Sequence, residues 1–239
     1  MKRTSILLAV IFAAFISVTN AQDEGGIKFK ATADLVSNYI WRGTETKAAH
    51  FQPTAAVVMG NLEIGAWGST DIIGFYKEVD LYASYTAGAF NVQLWDYNWG
   101  FTKSYFNYSD TTDHIVELCL NYTLSESFPM TISVNAFIYG ADKKYMTDAT
   151  ETDIKKQNYS NYIELSYPIK DAKVFTGFST GDGYYGDGYG NVGGFAMVNI
   201  GLQVTKSLKI TDSYSLPIKS VFGFNPQSEN AYLAFGITF

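Results

Sequence analysis

The chain closes on Asn230-Ala-Tyr-Leu-Ala-Phe-Gly-Ile-Thr-Phe239, where Ala231, Leu233, Phe235, Ile237 and Phe239 alternate with Asn230, Tyr232, Ala234, Gly236 and Thr238. Successive side chains of a β-strand point to opposite faces, so a period of two marks a strand with one apolar face. The stretch therefore reads as a strand.

The same pattern recurs upstream. Residues 194–205 set Ala196, Val198, Ile200, Leu202 and Val204 on one face, and 113–123 set Val116, Leu118, Leu120 and Tyr122 against Glu117, Cys119 and Asn121. Residues 78–86 place Val79, Leu81, Ala83 and Tyr85 opposite Glu78, Asp80, Tyr82 and Ser84. A first strand from Lys28 to Arg42 places Phe29, Ala31, Ala33, Leu35, Tyr39 and Trp41 on its apolar face. Further segments fall near 51–59, 62–70, 90–99, 130–139, 159–167, 173–180 and 216–224. The count is about twelve strands, between 10 and 14.

Gly60-Asn61 suits a two-residue hairpin turn. Turns near 60, 87, 125 and 170 read as short, and links near 73, 105, 148 and 187 as longer and polar. Alternating short and long connections are the pattern of transmembrane barrels, whose short turns face the periplasm.

Composition agrees. Charged residues are 17% and aromatics 16% of 239 residues, with 18 Tyr and 17 Phe, whereas a soluble domain carries about a quarter charged residues. Mean hydropathy is near neutral, so bilayer contact has to come from half-apolar strands rather than from apolar helices. The expected fold is an all-β, transmembrane, antiparallel up-and-down barrel. An open sheet in hydrocarbon would leave edge N–H and C=O groups unpaired, so its first and last strands must meet.

Lys2 and Arg3, an apolar run from Ile6 to Ile16 and small residues ending at Ala21 read as a secretory signal peptide. Cleavage after Ala21 is expected, leaving 22–239 as one barrel domain. Loss of Lys2 and Arg3 leaves 15 basic against 23 acidic residues, a formal charge of −8, which argues against a nucleic-acid partner. The lone Cys119 excludes an intramolecular disulfide and lies far from any lipoprotein cleavage site; it reads as a small buried hydrophobe. An aromatic at the end of an alternating strand resembles the signal read by the barrel assembly machinery, so Phe235, Ile237 and Phe239 are the candidate assembly signal.

Several segments resemble the TorF-type family of outer-membrane porins in its Bacteroidetes-like form. They are Asp34-Leu-Val-Ser-Asn-Tyr-Ile-Trp-Arg-Gly43, Gly65-Ala-Trp-Gly-Ser69, Tyr139-Gly-Ala-Asp142, Tyr159-Ser-Asn-Tyr-Ile-Glu-Leu-Ser-Tyr-Pro168 and Asn225-Pro-Gln-Ser228. The resemblance implies a barrel in the outer membrane of a Gram-negative bacterium, with a channel role and outer-membrane lipid around it. It names no solute beyond ions or small polar molecules.

The candidate lumen lining is Asp34, Glu63, Glu78, Asp80, Glu117 and Glu164 against Lys28, Lys30, Arg42, Lys173 and Lys219. Opposed charges across a lumen shape a transverse field or simply pair. Asp96 falls on the lipid face if the strand at 90–99 alternates without interruption, so a bulge near Trp95 or a rim position is expected. Tyr39, Trp41, Trp67, Trp95, Tyr97 and Trp99 fall near outer strand ends, where outward rings would form an interfacial girdle and inward ones could line a sugar track.

Other readings stay open at this point. A barrel enzyme would use His114 with Asp113, Ser109 or Thr112 nearby, although no serine sits in a nucleophile motif; otherwise His50 and His114 are polar residues of the rim. The run Gly181 to Asn191 carries only Asp182 and Asp187 as carboxylates and reads as a tyrosine-decorated surface loop rather than a calcium site. Neither a metal nor a cofactor is expected. A side-chain-filled structural barrel and a soluble sandwich or adhesin complete the alternatives.

Overall fold

The computed structural model describes residues 26–147, 153–181, 183–185 and 194–239, so the expected signal segment 1–21 lies outside the described residues. Its strands are β1 Ile27–Val36, β2 Tyr39–Trp41, β3 Thr44–Thr46, β4 His50–Met59, β5 Leu62–Asp71 and β6 Lys77–Ala87. Then come β7 Phe90–Tyr97, β8 Ile115–Thr123, β9 Thr131–Gly140, β10 Lys143–Thr147, β11 Asp153–Gln157 and β12 Asn161–Ile169. The last four are β13 Ala172–Ser179, β14 Ala196–Lys209, β15 Ser215–Asn225 and β16 Asn230–Thr238.

Twelve of these form one closed antiparallel barrel in chain order, with β2–β3 and β10–β11 as separate two-stranded hairpins. The ring closes where Asp34, Leu35 and Val36 pair with Thr238, Ile237 and Gly236. Beyond that seam, Phe239 N donates to Ala33 O at 2.9 Å and Ser37 N to Phe235 O at 2.7 Å. Closure removes the unpaired edges, and a single closed ring replaces the two packed sheets of the sandwich alternative.

Alternation sets the two surfaces. Ile64, Leu81, Leu94, Leu120, Leu202 and Leu233 stand exposed on the outside, while Glu78, Asp80, Glu117, Asn135 and Asn199 are buried within. Phe235 is exposed on the same outer face as Leu233. No helix among the described residues is long and apolar enough to cross a membrane.

Three expectations need correction. The first barrel strand ends at Val36, and the chain then turns inward, so Tyr39 and Trp41 leave the outer face for the β2–β3 hairpin. The link near 73 spans only residues 72–76, fewer than the 124–130 turn at the opposite end. In β14 a register shift opposite Gly177 and Phe178 changes the phase of alternation. Val198 therefore joins the interior apolar cluster instead of facing outward with Ile200.

Asp96 does face outward in unbroken register, opposite Leu81 and Val116 and with no bulge at Trp95. It sits at the rim under a cover of loop: Tyr108 Oη donates to it at 2.6 Å and His114 Nδ1 lies 2.7 Å away.

Candidate functional site: the plugged lumen

The first link of the barrel makes the site. After Val36, residues 37–49 fold into the lumen, with Tyr39, Ile40 and Trp41 pairing with Thr46, Glu45 and Thr44. The hairpin needs a tight reversal at Arg42-Gly43, where both residues have positive φ, 50° and 86°. Gly43 meets two demands there. A β-carbon on it would stand 2.3 Å from the Val198 carbonyl oxygen, and its φ is one that glycine adopts freely. Its own carbonyl accepts from Asn225 Nδ2 at 3.3 Å. The tip is thus pressed onto β14 where the register shift displaces Val198.

Arg42 reaches from that tip to the far wall. Its Nη1 and Nη2 donate to Glu117 Oε1 and Oε2 at 2.5 and 2.8 Å, the bidentate fork that matches guanidinium to carboxylate. It also donates to the Tyr185 hydroxyl, and its guanidinium lies 4.9 Å from the ring centres of Trp41 and Tyr162. Glu117 further accepts from Tyr97 Oη at 2.8 Å and Cys119 Sγ at 3.2 Å. Burial by itself would depress the pKa of Arg42, but Tyr185 and Glu117 hold it above its ordinary value.

Trp41 fills the rest of the cross-section. Its ring stacks on Phe137 at 6.3 Å, 8° from parallel, and meets Tyr97, Trp99, Tyr184 and Tyr185. A second register shift, at Val116/Glu117 against β9, lies at this level. Each of the twelve barrel strands places at least one buried residue in this half, from Val36 and His50 round to Asn225 and Tyr232. The lumen is therefore sealed toward the end that carries the 98–114 and 141–160 links.

Below the plug the lumen is polar and open. One chamber of about 320 Å³ is lined by Asp34, Arg42, Glu164, Lys173 and Lys219 with Gln52, Asn199, Gln203, Phe175 and Tyr232. Another of about 270 Å³ is lined by Arg42, Gln93, Trp95, Cys119, Asn121, Asn135 and Glu164. Several charges here are paired: Lys219 with Asp34 at 3.5 Å and Lys30 with Glu63 at 3.2 Å. Tyr82 Oη also donates to Glu63 at 2.6 Å.

The expected lining residues thus divide by depth. Asp34, Arg42, Glu164 and Lys219 border the chambers, and Glu63 lies nearer the short turns with Lys30. Glu78, Asp80 and Glu117 are sealed in the plug. Tyr76 Oη donates to Glu78 at 2.8 Å and Asn98 N to Asp80 at 3.1 Å. No group of three or more metal-binding side chains occurs among the described residues.

The six aromatic residues near the strand ends form no outer girdle. Tyr39 packs against His50, Trp67 and Tyr76, and Trp95 stacks between Tyr82 and Tyr97 at 4.6 and 5.8 Å. Trp99 packs on the same interior cluster. Tyr185 belongs to that cluster too and is buried, so it is not surface decoration, whereas Tyr184 touches Trp41 but stays exposed; Asp182 and 186–191 lie outside the described residues.

Nor are the histidines solvated at the rim, since both are buried. His50 Nδ1 lies 2.9 Å from Ser69 Oγ. His114 has Asp96 on Nδ1, and Asn98 and the Tyr105 carbonyl on Nε2, which leaves neither nitrogen for a serine. Asp113 turns to Thr102, whose hydroxyl at 2.5 Å holds the carboxyl below its usual range.

No family model matches the chain, and no curated protein is significantly similar to it. Solved structures to which it is similar include the translocator domain of the autotransporter NalP from Neisseria meningitidis, at 11% identity and TM-score 0.32 over 99% of this chain and 95% of that one. Salmonella typhi OmpF in complex with daunomycin matches at 10% identity and TM-score 0.36, over 90% and 98%. Pseudomonas aeruginosa OprD matches at 13% identity and TM-score 0.33, over 92% and 67%. Values of this size say nothing about a shared function.

Proposed function

We propose that this chain is an outer-membrane channel for ions or small polar solutes, held in a closed state by the hairpin at 37–49. The observation that carries the reading is the combination of surfaces: an apolar outer wall around a charged interior that is open at one end. In the orientation usual for such barrels the short turns face the periplasm, so the open chambers face the periplasm and the plug faces outward. The motif resemblance to TorF-type porins supports the same reading, and Ser37 to Gly43, its most specific run, includes the tip of the plug.

A purely structural barrel is the second reading, favoured by the sealed half. The two differ in what the lower half does: a structural barrel has no use for two open chambers bordered by charges.

The exported protein is expected to partition with outer membranes, and deletion of Phe239 to lower its assembly, because Phe239 N and Ala33 O bond at the closing seam. Refolded into a planar bilayer, the intact barrel should give small, infrequent conductance steps. A folded barrel recovered in the soluble fraction would contradict the membrane reading. A complete lack of conductance, with the hairpin present and with it removed, would favour the structural one.

A further inference from the structure

Two charges bordering the larger chamber stand apart from the pairing seen elsewhere in the lumen. Glu164 on β12 accepts from the neutral Tyr162 hydroxyl at 2.9 Å, and among the described residues no cation lies within salt-bridge distance of it. Lys173 on β13 rests 5.7 Å from the Phe175 ring centre, and no described carboxylate reaches it. Both face the same cavity of about 320 Å³.

Their spacing follows from the register. Glu164 lies opposite Gly177 and Lys173 opposite Pro168, so the backbones are offset by four residues, about 13 Å along the wall. The Lys173 ammonium lies 5.7 Å from the ring centre of Phe175, whose partner Ser166 lies between the two levels. A peptide residue spans about 3.5 Å when extended, and a charge-assisted hydrogen bond about 2.8 Å. One or two residues with a bond at each end cover about 9 to 13 Å.

We propose that this chamber binds small zwitterions of amino-acid to dipeptide size, the ligand ammonium at Glu164 and the ligand carboxylate at Lys173. The proposal deepens the channel reading by naming a solute class. The amides of Gln52 and Gln203 border the same space, and their side-chain carbonyls can accept from a peptide N–H. Tyr162 fixes the acidic end: its hydroxyl accepts from Asn199 Nδ2 at 2.9 Å while donating to Glu164. A β-carbon on Gly177 would stand 2.2 Å from that hydroxyl oxygen, so the glycine makes room for the ring.

The test is equilibrium binding to the refolded barrel in detergent, read by titration calorimetry, with glycylglycine as probe. Saturable binding is expected, weakened at least tenfold for N-acetylglycinate, which keeps only the negative end, and for glycinamide, which keeps only the positive end. Glu164→Gln and Lys173→Met should each lose at least tenfold while the barrel keeps its near-ultraviolet spectrum. Equal binding of all three probes, or unchanged binding by both variants, overturns the proposal. So does no saturation by wild type up to about 50 mM, well above a millimolar Kd. Because the readout needs no transport, its failure leaves the channel reading standing, and silence in a bilayer leaves binding intact.

Discussion

Replacing Glu117 by Leu is expected to lower the folded stability of the barrel by about 3–5 kcal/mol, the range for removing one partner of a buried ion pair. The variant leaves the Arg42 guanidinium in the plug without its bidentate acceptor, and the Tyr97 hydroxyl and Cys119 thiol lose theirs. The Tyr185 hydroxyl and three ring contacts to Arg42 remain but carry no negative charge to balance the guanidinium. The double variant Arg42→Met with Glu117→Leu should recover most of the loss, because no uncompensated charge is left inside. Urea unfolding of the lipid-reconstituted protein measures both; a double variant as unstable as the single one would show that packing, not the unpaired charge, sets the effect.

A second large effect is expected at Gly43, this time on docking of the hairpin. Valine there would meet both a φ of 86° and the Val198 carbonyl oxygen. A β-branched residue in that region is strained by about 1–3 kcal/mol before the clash is counted. The tip should retreat from β14 and draw Arg42 off Glu117. Proteolysis within residues 37–49 is the readout: Gly43→Val should be cut much faster than wild type, whereas an equally resistant variant would mean that the tip is not held where the structure places it.

Much of the wall was legible in the sequence for a plain reason. A strand between water and an apolar phase must alternate, and segments such as 78–86 and 113–123 alternate without a break, so their lumen and outer faces read directly. The plug was not legible because it keeps the same rhythm. Tyr39 and Trp41 continue the odd-numbered apolar series of Phe29 to Leu35, and no Gly or Pro marks the departure at Ser37-Asn38. The available signal was length: a span from Lys28 to Arg42 exceeds the roughly 9–11 residues that a tilted strand needs.

For Trp95 and Tyr97 the information was present, since they share a face with Asn91 and Gln93 while Val92 and Leu94 occupy the other. Val198 differs, because a register shift inverts local phase without altering the letters. Charge identity was legible too, but depth was not. Alternation says that Glu117 and Glu164 point inward; only packing of the hairpin decides that the first is sealed and the second borders a chamber.

If residues 37–49 close an otherwise passable lumen, single-channel recording in one bilayer system will read their removal as a rise in conductance. The comparison is wild type against a variant in which Asn38 to Thr46 is replaced by a short glycine-serine link of equal reach between β1 and β4. With the Trp41 and Arg42 side chains gone, the chambers should open through the sealed half. Severalfold larger steps of long duration are expected, against small and infrequent steps in wild type. Equal conductance in two barrels that fold equally well would place the barrier outside the hairpin, and residues 37–49 would not be the closure.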